Sequence, residues 1–220
     1  VSGSEPVRPD QGLFIVFEGG DGVGKSTQAD LLCRWLTEAG VECVRTFEPG
    51  DSLVGTKIRQ IVLDPATGDL APRAEALLYA ADKAHHLYEL VEPALRRGAV
   101  VVCDRYVDSM LAYQGAGRVL DIAEVERVAR WATGDLRPHL TVLLDVDPSE
   151  AVHSKVDKDR LEAAGDVFHQ RTREYFLQLA ARDPEHYLVL HARDSVEQIA
   201  AAVQDRVHQL VSAPPGRLVS

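Results

Sequence analysis

Gly19, then four residues, then Gly24-Lys25-Ser26 give the spacing G-x-x-x-x-G-K-[ST] within EGGDGVGKSTQ, residues 18–28. Glycines at 19, 20, 22 and 24 let the backbone turn where a Cβ would forbid it, so that N–H groups point inward at an anion. Asp21 and Val23 complete the loop, and Thr27 leads into a helix whose positive end joins the cradle. Lys25 supplies a mobile cation for the β- and γ-phosphates of a nucleotide, and Ser26 a hydroxyl for Mg²⁺. The loop holds phosphates. What becomes of the phosphate depends on what else the chain brings to it.

A second constellation, CDRYVDSMLAYQGAGR at 103–118, starts where an apolar run ends. Ligands of open α/β sheets gather at the carboxyl ends of strands, so this segment is expected to face the loop. Asp104 can hold Mg²⁺, Arg105 offers a fork for a phosphate, and Tyr106, Tyr113 and Gln114 offer surfaces for a base or sugar. Lys155, Lys158 and Arg160 cluster around DKDRLE, residues 157–162. Elsewhere such a run is a solvated face. Beside a phosphate loop it suits a closing lid, about 153–163, that neutralises charge and excludes water during phosphoryl transfer.

The elements that must position these groups alternate. Strand candidates are 13–17, 41–46, 99–103, 140–146 and 187–191; helical patterns fit 25–39, 52–63, 72–97, 121–133, 148–154, 162–182 and 195–211. Such alternation predicts a parallel five-stranded sheet flanked by helices. On the 72–97 helix, Leu77, Ala81, Ala84, Tyr88, Val91 and Leu95 form an apolar stripe expected to be buried. Tyr79, Lys83 and His86 fall on the opposite side, as a solvated face or a cleft wall.

Bulk properties narrow the options. With 45% hydrophobic residues in 220, one folded domain at 13–211 is expected, between loose polar tails at 1–12 and 212–220. A net charge of −10 argues against nucleic acid or an anionic membrane as main partner. No apolar run approaches a membrane span and no signal peptide is visible. Cys33, Cys43 and Cys103 show no C-x-x-C spacing and are expected as buried free thiols, which fits a cytoplasmic location. The chain has no asparagine, so the N-K-x-D signature of guanine-specific switches is absent.

Together, FEGGDGVGKST (17–27), EPGDSLVGTKIRQIVLD (48–64), AEALLYAADKAHHL (74–87), VVCDRYVDSMLAYQGAGR (101–118), LTVLLDVDP (140–148) and DRLEAAGDVFHQRTREYF (159–176) resemble the thymidylate (dTMP) kinase family. The resemblance implies a P-loop kinase fold with a short lid, a homodimer, and transfer of the γ-phosphoryl of MgATP to dTMP for dTTP synthesis. By position it implies that Asp21 sits between the two nucleotides' phosphates and that Arg105 grips the dTMP phosphate, with Arg59 and Glu48 nearby. Tyr79 would stack on thymine and Lys83 contact the base edge. Ser109, Tyr113 and Gln114 would meet the nucleoside, and Arg160 would be a lid arginine near ATP. The attacking group is an ionised phosphate oxygen, so no general base is needed.

Three positions depart from the family pattern. Phe47 stands where many members have Arg, Asp51 where they have Gly, and Lys83 where they have Arg. Each change reduces positive charge or planar hydrogen bonding near the acceptor. They keep two alternatives open: a kinase of another (deoxy)nucleoside monophosphate, or a nucleotide-binding sensor with impaired catalysis.

Overall fold

The computed structural model describes residues 12–118, 120–147, 161 and 165–212. Five parallel strands lie in the order β2-β3-β1-β4-β5: β1 Phe14–Gly19, β2 Cys43–Phe47, β3 Val100–Asp104, β4 Leu140–Asp145 and β5 Tyr187–His191. The three central strands are almost wholly buried, as near-continuous apolar runs covered on both faces should be. The period of two divides their side chains between the faces. Ile15, Phe17, Val102, Leu140, Val142 and Leu144 pack under α1 (Lys25–Glu38) and α8 (Val196–Ser212). Phe14, Val16, Val101 and Cys103 face the other way, against the chain from α3 to α4.

That second layer begins with α2 (Leu53–Leu63), capped by the Ser52 hydroxyl, which accepts from Gly55 N at 2.8 Å. It continues with α3 (Pro72–His86), which runs through a π-helical turn, Leu87–Val91, into α4 (Glu92–Arg96). The widened turn lies beside Pro93, which has no N–H to give the Glu89 carbonyl. A helix that the apolar pattern did not reveal, α5 (Val107–Met110) with a π turn at Leu111–Gly117, follows β3. The layer closes with α6 (Ile122–Thr133) and α7 (Asp166–Arg182). The expected helix at 148–154, the lid cations Lys155, Lys158 and Arg160, and nearly all of both tails lie outside the described residues. Among the described residues, no helix is long and apolar enough to cross a membrane.

Two expectations are overturned. The apolar stripe expected along 72–97 is buried only in part: Val91 is fully buried, but Leu77 on α3 is 58% and Tyr88 just beyond it 75% exposed, while Tyr79, Asp82, Lys83 and His86 on the polar side are buried. Periodicity identifies an apolar face but not what covers it. Cys33 and Cys43 are not free thiols. α1 packs beside β2, which brings their Cα atoms to 5.5 Å, and the two form a disulfide. Cys103 alone is free and buried, so the cysteines no longer support a reducing compartment.

Candidate functional site

β1 ends at Gly19, and the loop that follows turns into α1 through Gly24, whose φ of 94° is left-handed and suits glycine. Lys25 folds back over the loop and donates to the carbonyls of Gly19 and Gly20. Burial and the neighbouring Arg105 charge bring its pKa down to about 8. Packing around the Asp21 carboxyl would raise its pKa, but Arg105 and Lys25 outweigh this and hold it at about 2.

β3 delivers Asp104 and Arg105 to the same edge. Ser26 Oγ donates to Asp104 Oδ2 at 2.6 Å, so the hydroxyl and carboxylate expected to hold Mg²⁺ are adjacent. Hard oxygen donors of this kind suit that ion. Arg105 has φ 71°, unusual for a residue with a Cβ, and the bend aims its side chain across the sheet edge. Its guanidinium donates to Gly19 O and Ser109 Oγ, both at 3.0 Å, and to the Asp21 carboxylate.

Two cavities meet here. One, of about 460 Å³, is lined by Gly22, Gly24, Lys25, Ser26, Thr27, Asp104 and neighbouring cations, and its size suits a small ligand. The other is narrower, about 80 Å³, between Tyr79, Lys83, Ser109, Tyr113 and Gln114. Asp21, Glu48, Arg59 and Arg105 line both. The structure therefore brings together the expected loop, acceptor and metal residues except Tyr106, which is 1% exposed, packs in the core against Phe14 and lines neither cavity; Arg160 lies outside the described residues. Several acceptor-side residues are already engaged. Lys83 donates to Glu48 Oε2, and Gln114 Nε2 donates to Glu75 Oε1 at 3.2 Å. Tyr113 lies under Arg105, with the guanidinium 5.1 Å from its ring centre. Arg59 donates to Pro49 O at 2.7 Å and lies 5.6 Å from the Phe47 ring centre.

Sequence reasoning missed several supports. Glu18 is fully buried; its Oε1 accepts from Tyr106 N at 2.8 Å and Ser109 N at 3.1 Å, and its Oε2 from Ser109 Oγ at 2.6 Å. A charged residue at the end of an apolar strand was the available signal. Arg45 lines the larger cavity and lies 3.7 Å from Asp104. It precedes Phe47 by two residues, which puts both on one face of β2 and supplies a cation near the position where Phe47 lacks one. His86 and Thr46 form a buried network behind Glu48.

Comparison with known proteins accords with this geometry. A family model described as Thymidylate kinase matches residues 17–203. The chain is similar to the thymidylate kinase of Cutibacterium acnes, with 62% identity over 173 residues, covering 79% of this chain and 85% of the relative. It is 51% identical to that of Bifidobacterium longum (strain NCC 2705) over 177 residues, covering 79% and 86% respectively. A crystal structure of thymidylate kinase from Ehrlichia chaffeensis superposes with a TM-score of 0.75 at 27% identity, covering 90% of this chain and 99% of that one.

Proposed function

The chain belongs to the thymidylate kinase family, and from that premise we infer how its two cavities divide the transfer of the γ-phosphoryl group of ATP to dTMP, giving dTDP and ADP. The larger cavity takes the donor's phosphates and the narrower one the acceptor nucleoside. The observation that carries this division is their shared wall of Asp21, Glu48, Arg59 and Arg105, where two phosphates would meet. The narrow pocket is smaller than a nucleoside and widens on binding.

A dTMP phosphate oxygen attacks the γ-phosphorus as the bond to the ADP oxygen breaks, and no protein base is needed. Lys25 and Arg105 neutralise the charge spread over the moving group, and the family resemblance adds Arg160 to them. Ser26 and Asp104 would hold Mg²⁺. When bound, that ion supplies charge neutralisation on the phosphates. Tyr79 faces the base, with Ser109, Tyr113 and Gln114 around the nucleoside.

Two copies pair through the layer formed by α2, α3 and α6. These helices pack side by side and expose Ile61, Leu77 and Trp131, the last at 85%. This gives the exposed stripe of α3 a cover that a single chain does not provide.

One observation favours a second reading. Lys83 is committed to Glu48, which weakens its hold on a thymine edge and leaves room for another monophosphate as best acceptor. An ADP-release assay across dTMP, dUMP, dCMP, dGMP and AMP separates the two. We expect dTMP to give the highest kcat/KM, and Lys25→Ala to lower turnover by about 10²–10³-fold. A better acceptor than dTMP would establish the second reading, and ATP binding with no ADP formed on any acceptor would refute both.

A further inference from the structure

Behind the acceptor cavity runs a chain of buried polar groups that the transfer described above does not use. His86, on the inward face of α3, is 1% exposed. Its Nδ1 lies 2.8 Å from Glu48 Oε1 and its Nε2 2.6 Å from Thr46 Oγ1. The same Thr46 hydroxyl donates to Asp51 Oδ2 at 2.6 Å. Each of these contacts needs a proton between its two atoms. A neutral imidazole carries one and the threonine hydroxyl a second, so the last must sit on the ring or on a carboxylate.

The surroundings favour the ring. Burial alone would raise the Glu48 carboxyl, but the Lys83 charge beside it counts most among the contacts that hold it below its usual range. Asp51 is only half-buried, so water can hydrate its charge. Other titratable groups around the cluster are Lys83 and Asp82 on α3, Cys103 on β3, Tyr106 just after β3 and, beyond Lys83, Glu18 on β1. Burial and the Glu48 charge lift Asp82 to about 6, and burial pushes the Cys103 thiol up, leaving it neutral.

We propose that His86 is a positioning residue, held as an imidazolium between Glu48 and the Thr46–Asp51 pair. It fixes the Glu48 carboxylate in the wall shared by both cavities and offsets the Asp51 charge that reaches the network through Thr46. The kinetic consequence rests on the acceptor site assigned above; the protonation state does not.

The test has two independent arms. Nitrogen-15 NMR of the wild-type protein, with His86→Gln assigning the resonance, reads the ring directly, and both ring nitrogens should carry protons at about pH 7.5. In His86→Gln the amide has no charge and can donate to Glu48 but not also to Thr46. KM for the acceptor should rise about tenfold, with kcat and the KM for ATP within about twofold of wild type. Adding Asp51→Asn should recover most of that loss. The amide introduced at position 51 can donate to Thr46, and Thr46 to the carbonyl introduced at position 86, so every contact again has its proton. A simple packing defect would not be rescued at Asp51. A wild-type ring with a single N–H, or a double variant no better than His86→Gln, overturns the proposal. If dTMP is not the best acceptor, KM is read on the one that is, and the NMR arm is unaffected.

Discussion

Removing the Glu18 carboxylate should unpin the segment that carries Arg105. Its oxygens accept from Tyr106 N, Ser109 N and Ser109 Oγ at 2.8, 3.1 and 2.6 Å, all in the interior. Glu18→Ala strands those donors. At about 1–3 kcal/mol for each buried group left without a partner, and allowing for water entering the space, the cost is about 3–5 kcal/mol. That is a large part of a typical stability of about 5–15 kcal/mol. Glu18→Gln keeps a carbonyl for both N–H groups and requires the Ser109 oxygen to accept from the amide as well as from Arg105, with its own proton turned to a new acceptor. It also removes a carboxyl whose pKa burial raises, so its charge is costly to keep. The loss should then be about 1–2 kcal/mol. Urea unfolding followed by circular dichroism and by fluorescence measures both, with coincident curves as the check on two-state behaviour. Equal destabilisation by alanine and glutamine, within about 0.5 kcal/mol, would refute the view that Glu18 acts as an acceptor for these donors.

Two further outcomes are expected. Lys25 loses its proton as pH rises through about 8, and a bound polyphosphate favours the charged form, so ATP binding should take up a proton and weaken toward alkaline pH. Calorimetry at about pH 8.5 in buffers of different ionisation enthalpy detects that proton; an enthalpy independent of buffer would contradict the assignment. Leu77→Asp and Trp131→Asp place charges on the exposed faces of α3 and α6 and should convert a dimer to monomer in sedimentation velocity. Unchanged dimerisation in both variants would put the interface elsewhere.

Local chemistry was legible from residues close together in the chain. Gly19 to Thr27 form a cradle because glycine freedom, a lysine and a helix start lie within nine residues. The parallel sheet followed from apolar runs alternating with helical patterns, and its strands lie within about two residues of where the runs predicted them. What only the tertiary structure decided are pairings across long separations. Glu18 meets Ser109 across 91 residues, and Glu48 meets His86 across 38. Cys33 reaches Cys43 because α1 folds against β2. The α3 stripe is the instructive case: Lys83 and His86 are buried because both find Glu48 there, while the apolar side remains exposed on a single chain. A sequence pattern records which face is apolar; which face is covered depends on the elements that pack against it, and these come from distant parts of the chain or from a second copy.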